Sequence, residues 1–389
     1  MLQLSDATLQ FIREHKDCDP RGLALTAARH PEVDMIQALQ QIAGRQTAAL
    51  KLSSWAAVEG LLYPMHLSME QCSSEATASY KASLVSGDTF ADLTGGLGAD
   101  FSFIARNFRR ADYVEKNEAL CALATHNLPL LGFPEAHVHN ATAEDYLMRM
   151  DPVDCIYLDP SRRDSNGGRV VRLSDCQPDV TLLEKALARK ARRVMIKLSP
   201  MLDIAAVLRE LNSISQMHII AAGGECKELL LILEKDVTKE PSVVCATLPS
   251  SIFRFTVSEE KGAVCSIADR LGDYLYEPNA ALMKGGCFRL LSARLGVNKL
   301  HPFSHLYTSD KLIDFPGRRF SVEGVSGFAK RQLKAFLTSI DKANVVVRNF
   351  PSSAEELRRR LKLKDGGDTF VFATTLWDGD KVLIKARRI

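Results

Sequence analysis

A glycine-rich turn between an apolar strand and a helix is the first place in this 389-residue chain where residue types point to chemistry. It reads Phe90-Ala91-Asp92-Leu93-Thr94-Gly95-Gly96-Leu97-Gly98-Ala99-Asp100. Glycines let the backbone turn tightly and let a ligand come close where a Cβ would obstruct it. The spacing is not the Gly-x-Gly-x-x-Gly of dinucleotide sites, and no Gly-Lys-Ser/Thr follows as in a phosphate-binding loop. Glu115 closes the next apolar run, 17 residues after Gly98. A carboxylate there can accept both hydroxyls of a ribose, although on its own it reads better as a strand-end surface acid, and only the glycine turn and strand order favour the ligand role. Asp92 stands just before the turn, where it would repel a pyrophosphate and attract a cationic amino group. A later run, Ile156-Tyr157-Leu158-Asp159-Pro160-Ser161-Arg162-Arg163, ends in Asp159-Pro160. Open α/β sheets bind ligands beyond the carboxyl ends of their strands, which puts Asp159 beside a ligand's reactive end. Pro160 fixes its own φ and restricts Asp159, stiffening that edge.

These residues need a scaffold, and the chain supplies one. From about residue 88, short apolar runs alternate with helical stretches. Thr89–Leu93, Ala111–Glu115, Ala136–His139, Cys155–Leu158, Arg193–Leu198, His218–Ala222 and Leu229–Leu233 read as seven strands. Helical stretches between them include Ala99–Asn107, Asn117–Leu131, Val180–Ala188 and Ile204–Leu211. Such alternation implies a mostly parallel, doubly wound sheet covered on both faces. The last two strands are separated by Gly223-Gly224-Glu225-Cys226-Lys227, too short for a helical crossover, so one antiparallel strand is expected. Residues 1–83 read as a helical segment, with Gln3–His15, Asp34–Gly44 and Gln46–Glu59 spacing their apolar residues at three and four. After about residue 239 the rhythm becomes α+β. Val243–Ala246 and Ile252–Val257 look like strands, Asn279–Leu295 is partly helical, and Asn344–Arg348, Ala354–Leu361, Asp368–Leu376 and Lys381–Ala386 read strand, helix, strand, strand. Ser353 with Glu356 forms a capping-box pattern, and Asp378-Gly379 a hairpin-turn signal.

Composition narrows the function classes. Hydrophobic content of 46% with 25% charged residues is that of a soluble globular protein. The net charge of +3 demands no polyanionic partner, though clusters such as Arg358-Arg359-Arg360 and Arg387-Arg388 permit one. Nine dispersed cysteines without a Cys-x-x-Cys pair fit reduced thiols, and no metal site is expected. His137 and His139 fall on one side of a strand without further ligands nearby in sequence. There is no apolar run of membrane-spanning length and no signal peptide at the N-terminus, so a cytoplasmic protein without a membrane partner is expected.

Asp92-x-Thr94-Gly95-Gly96-x-Gly98, Glu115 and Asp159-Pro160 together resemble the motifs of class I S-adenosylmethionine-dependent methyltransferases. The wider layout resembles a bacterial group in which that core is followed by ferredoxin-like and THUMP-like domains, through Val345-Val346-Val347-Arg348-Asn349-Phe350-Pro351 and the Thr369–Gly379 stretch. The resemblance implies a seven-stranded Rossmann-like core at 84–238, a ferredoxin-like domain at 239–310 and a THUMP-like domain at 311–389. It implies S-adenosylmethionine as cofactor, its methionine part held by Asp92, Gly95, Gly96 and Gly98 and its ribose by Glu115. Thr94, Lys116, Asn140, Thr142, Ala143 and Asp159 complete the implied cofactor set. Asp159 and Pro160 would line the methyl-transfer site. Since THUMP domains elsewhere bind structured RNA, an RNA substrate, tRNA or rRNA, is implied as well.

The chain departs from the family at two places. After the third strand stands Asn140-Ala141-Thr142-Ala143-Glu144, where an acid usually reads the adenine amino group; Asn140 and Thr142 are both open as its replacement. After Asp159-Pro160 the stacking aromatic of amino-group methyltransferases is missing, and Ser161, Arg162 and Arg163 follow as candidate substrate contacts with Lys197. Gln71-Cys72-Ser73-Ser74 with Lys81 reads either as a leader folding over the cofactor or as a helix start capped by Ser73 or Ser74. A nicotinamide oxidoreductase would need a pyrophosphate loop that is absent. An inactive RNA-binding module and a small-molecule methyltransferase stay open. The sequence fixes neither the target nucleotide nor the oligomeric state.

Overall fold

The protein is described by a computed structural model covering residues 4–64, 69–70, 72–162, 172–338 and 340–389. It divides into two units, Met1–Ala222 with Lys227–Pro241, and Gly223–Cys226 with Ser242–Ile389.

The first unit opens with helices Asp6–His15, Pro20–Ala24, Met35–Lys51 and Ser53–Ala56. Ser5, Asp19 and Asp34 cap the first three through side-chain oxygens. The break expected at Gly44 does not occur, because Met35–Lys51 runs through it unbroken. That glycine is there for packing, since a Cβ would come within 2.3 Å of Tyr63. Phe11, Ala38 and Ile42 form a small core among these helices, and Trp55 Nε1 donates to Ser102 Oγ (3.1 Å).

The central strands follow: β1 Thr89–Asp92, β2 Arg110–Glu115, β3 His137–Asn140, β4 Val153–Leu158, β5 Ser161–Arg162, β6 Cys176–Gln177, β7 Ala191–Leu198, β8 Ile214–Ala222 and β9 Glu225–Glu234. β1 pairs in parallel with β2 and β4, β2 with β3, and β4 with β7; β9 runs antiparallel to β7. Their spatial order is β8-β9-β7-β4-β1-β2-β3. Helices Ala99–Ile104, Glu118–Leu130, Ala143–Arg149, Val180–Lys190 and Ile204–Glu210 make the connections. The chain reverses its winding between β1 and β4, which opens a crevice beyond their carboxyl ends. β5 and β6, which the apolar pattern does not announce, form a separate two-residue antiparallel ladder directly after Asp159-Pro160.

In the second unit, β10 Ser242–Leu248 and β11 Ser251–Thr256 form an antiparallel hairpin. β12 Tyr274–Pro278, β13 Asn298–Lys299, β14 Tyr307–Ser309, β15 Gly317–Ser326, β16 Asn344–Val347, β17 Thr369–Thr375 and β18 Lys381–Arg388 make a sheet of order β13-β14-β12-β15-β18-β17-β16. Successive residues face opposite sides of it. Phe372 and Ile384 join one apolar cluster, while Val371, Ala373 and Leu383 join the other. Ser353 and Glu356 do form the capping box on Ala354–Leu361. The stretch expected as partly helical is two helices, Ala280–Gly285 and Phe288–Leu295, parted at Gly286. No described helix is long and apolar enough to cross a membrane.

Candidate functional site

β1 delivers the chain into the glycine turn, and β2 holds it there. Gly96 and Gly98 adopt φ of +55° and +86°, a region L-residues rarely occupy. Gly95 lies so close to Tyr113 of β2 that a Cβ would meet its ring at 2.2 Å. The Tyr113 hydroxyl donates to Gly96 O (2.5 Å), and Gly95 N–H to Val114 O (2.8 Å). Glu115 then ties the turn to the following helix. Its Oε2 accepts from Gly96 N–H (2.9 Å) and its Oε1 from Asn117 N–H (2.8 Å).

Thr94 couples this turn to the end of β4. Its N–H donates to Asp92 Oδ1 (3.0 Å), and its hydroxyl oxygen accepts from Asp159 N–H (2.6 Å). Asp92 is 1% exposed. Burial, together with the negative charges of Asp100, Asp159 and Glu115, pushes its carboxyl well above the usual range against the pull of the Thr94 hydrogen bond. Asp159 carries a partner of its own, since Lys197 Nζ donates to its Oδ2 (2.7 Å) and lies 3.7 Å from Asp100 Oδ2. A cleft of about 350 Å³ opens along this edge, lined among others by Thr94, Gly96, Glu115, Thr142, Asp159 and Ser161.

Residues 274–316 match the ferredoxin-like domain family and residues 317–388 the THUMP domain-like family. Over the full length of both chains the protein is 35% identical to a Porphyromonas gingivalis W83 protein designated a methyltransferase, and the two structures superpose with a TM-score of 0.89. Two uncharacterised S-adenosylmethionine-dependent methyltransferases, from Mycobacterium tuberculosis strains CDC 1551 and H37Rv, are each 26% identical over 319 residues, covering 80% of this chain and 84% of theirs. The chain belongs to this S-adenosylmethionine-dependent methyltransferase family.

In this methyltransferase the cleft brings together Thr94, Gly96, Glu115, Lys116, Thr142, Ala143, Asp159 and Ser161 from the residues picked out by sequence. Asp92, Gly95 and Gly98 shape the turn instead of lining that space, and Pro160 is buried behind Asp159. Asn140 braces the loop after β2, its Nδ2 donating to Glu115 O (3.0 Å) and Lys116 O (3.1 Å). Thr142 is the N-cap of Ala143–Arg149, accepting from Asp145 N–H (3.1 Å) and giving its hydroxyl hydrogen to Asp145 Oδ2 (2.8 Å). Both candidates for the adenine contact therefore already hold structural hydrogen bonds. Lys197 does not line the cleft, because its ammonium is committed to Asp159 and Asp100. Arg162 pairs through its backbone with Cys176 in the β5–β6 ladder, and Arg163 lies outside the described residues.

The methyltransferase cleft also contains residues that sequence reasoning passed over: Leu93, Leu97, Leu120, Glu144, Gln177 and Pro178. Glu144 was one step from Ala143, and its charge was the available signal. Gln177 and Pro178 carry no local sign, since only the β5–β6 pairing brings them to Asp159. Cys72 lines the cleft, while Ser74 caps Glu75–Ala82 through Thr77 N–H (3.3 Å); Gln71 lies outside the described residues. His137 and His139 do share a side of β3, where both meet Asp112 Oδ1 at 3.3 and 3.1 Å.

Proposed function

We propose that the protein is an active methyltransferase that modifies a base or ribose of structured RNA, tRNA or rRNA, at an atom bearing an N–H or O–H. The observation that carries this reading is the meeting of Glu115, Thr94 and Asp159 around one cleft of about 350 Å³. That volume falls in the range for small-molecule and cofactor sites, roughly 300–1,000 Å³. S-adenosylmethionine fits the donor set. Each Glu115 oxygen uses one lone pair on a backbone N–H and keeps another for a ribose hydroxyl. Asp92, hydrogen-bonded to Thr94 at the cleft and with no cation in contact among the described residues, attracts the cofactor's ammonium through space from behind the turn. Glu144 supplies an acid for the adenine amino group in place of the one absent at the end of β3.

When bound, the cofactor supplies an activated methyl group on a sulfonium, so the protein's part is alignment. Lys197 occupies Asp159 Oδ2 and Thr94 holds the Asp159 N–H, which leaves Oδ1 to accept the acceptor's hydrogen. With the methyl delivered to the acceptor, the acceptor's hydrogen would pass to Asp159 Oδ1 as a proton and on to water. An acceptor without a hydrogen would find no donor in this carboxylate.

Charge partition supports the RNA part. Residues 317–388 hold sixteen Lys and Arg against eight Asp and Glu in a chain whose net charge is only +3, so the rest is net acidic. A basic module on an acidic body suits a polyanion held by phosphate contacts. Calorimetric titration with S-adenosylmethionine, with NAD in parallel, tests the cofactor reading; binding of the former alone is expected, and binding of NAD alone would overturn it. Labelled-methyl transfer into total tRNA and rRNA from cells lacking the protein tests the acceptor. Cofactor binding with salt-insensitive RNA binding and no RNA labelling would instead favour a small-molecule acceptor.

A further inference from the structure

Behind Asp159 lies a run of alternating charges that leads inward from the cleft. Asp159 meets Lys197 at 2.7 Å, Lys197 lies 3.7 Å from Asp100, Asp100 meets Lys81 at 3.0 Å, and Lys81 meets Glu228 of β9 at 2.6 Å. Side-chain exposure falls in the same order, from 40% at Asp159 through 13% and 9% to 0% at Lys81. Neutral groups complete the set. Ser73 Oγ accepts from Lys81 (2.9 Å) and donates to Asp100 Oδ2 (2.8 Å), and the Tyr157 hydroxyl donates to the same oxygen (2.6 Å). Apolar side chains of similar volume often replace such buried ion pairs without loss of stability, so space-filling does not account for the arrangement. Its geometry does, because of the five charged side chains only Asp159 lines the cleft.

We infer that Lys197, braced from behind by Asp100, Lys81 and Glu228, is a positioning residue that fixes the Asp159 carboxyl where it lines the cleft. The helix Glu75–Ala82, which carries Lys81, is thereby part of the catalytic edge. The inference rests on the reading of Asp159 as the group that receives the acceptor's hydrogen. The charged groups near the pair are Asp100 on Ala99–Ile104 and Glu228 on β9, with Asp92 on β1 beside Asp159, Lys81 behind Asp100, and the Cys72 thiol and Tyr157 phenol next to them. Burial opposes the Lys197 charge, but Asp159, Asp100 and Glu228 outweigh it and hold the ammonium above its usual range. Burial likewise opposes the Asp100 charge, and Lys81 with Lys197 outweighs it, holding that carboxyl low. Glu228 has one cation in contact where Asp100 has two nearby, and burial pushes its carboxyl up.

The test follows the Asp159 carboxyl by NMR in protein labelled at the aspartate side-chain carbon, with its signal assigned by its loss in Asp159→Asn. In Lys197→Met, measured at the same pH, that signal should move away from its position in the unaltered protein as the carboxyl loses its ammonium hydrogen bond. Lys197→Arg should restore it, and Glu228→Gln, which keeps the volume and removes the innermost charge, should shift it in a smaller measure. An Asp159 signal at the same position in folded Lys197→Met and unaltered protein would overturn the inference. If Lys197→Met does not fold, an Asp159 signal in Lys197→Arg or Glu228→Gln that fails these expectations would overturn it equally. The signal needs no acceptor RNA, so its outcome is separate from that of the methyl-transfer assays. A signal change as expected, with a wild-type protein inactive on every RNA, would leave the charge relay standing and remove only its proposed use.

Discussion

Each unit of the molecule buries one carboxylate shared by two cations, and the two clusters are built to different ends. In the first unit Asp100 lies between Lys81 and Lys197, side chains that are 0% and 13% exposed. In the second, Glu277 of β12 lies between Arg318 and Arg348, which are 35% and 36% exposed. Glu277 and Arg318 face each other across the β12–β15 pairing, with Arg318 Nε donating to Glu277 Oε2 (2.7 Å), while Arg348 follows β16. A guanidinium fork grips one carboxylate in a fixed plane, whereas an ammonium is a point charge that can serve two acids at once. So the arginines close their cluster as a clamp between strands with its cations toward water. The lysines pass theirs on, from Glu228 to Asp100 to Asp159.

The contrast is sharpest in stability. Lys81→Met leaves Asp100 and Glu228 short of a charge in the dry interior, and removing one partner of such a pair costs about 3–5 kcal/mol. Glu277→Gln keeps the shape of its cluster and leaves two arginines that reach water, so after discounting for solvent screening the expected loss is only about 1–2 kcal/mol. Urea unfolding of both variants checks the order. Equal losses would mean that the second cluster is as dry and as tightly coupled as the first.

Asp92 sharpens the comparison from the other side, as a buried carboxylate near Asp100 with an N–H for a partner and, among the described residues, no cation in contact. Its folded-state value is raised, so it favours the folded chain at low pH, and that contribution disappears as pH rises through the raised value. Asp92→Asn keeps an oxygen for Thr94 N–H and removes the stranded charge. At pH 8 its thermal midpoint should equal or exceed that of the unaltered protein. Its affinity for S-adenosylmethionine should fall about tenfold, or about 1.4 kcal/mol, as the ammonium loses the attraction of a carboxylate behind the turn. A lower midpoint with undiminished affinity would place Asp92 with the structural acids.

What could be read from the chain before folding divides along the same line. The glycine turn, Glu115 and Asp159-Pro160 were legible because each is a local pattern at the end of an apolar run. The elements of the first unit were legible for the same reason, since apolar runs of strand length alternate with helical ones. The charge relay was not, because its contacts span 147 residues from Lys81 to Glu228 and 57 from Asp100 to Tyr157. A lysine is also expected outside, so nothing in its identity marked Lys81 as 0% exposed. In the second unit the ten-residue β15 escaped notice, since Gly317, Gly324 and a register shift between Val322 and Gly324 interrupt its alternation. Helix Lys330–Leu337 was hidden by its polarity, as its half-buried apolar positions sit among four cationic or amide side chains.

The smallest expected effect belongs to the cations that the arginine cluster turns outward. His305 stacks on Phe288 with ring centroids 3.6 Å apart, and its Nδ1 has no hydrogen-bond partner among the described residues. Burial first, then the nearby charges of Lys299 and Arg348, depress its imidazole from 6.5 to about 4. Between those values the unfolded chain binds a proton that the folded chain refuses, so stability present above pH 6.5 is lost as pH falls toward 4. The ring is only half enclosed, and solvent screening keeps the effect small. His305→Asn suits the backbone, which sits at φ +51° in a region asparagine tolerates, and removes the titrating group. The difference in thermal midpoint between pH 7 and pH 5 should therefore be smaller in the variant than in the unaltered protein, whatever the lost stacking does to both values. An unchanged difference would show that the protonated ring is accommodated, and that the positive charge around Arg348 is weaker than its neighbours imply.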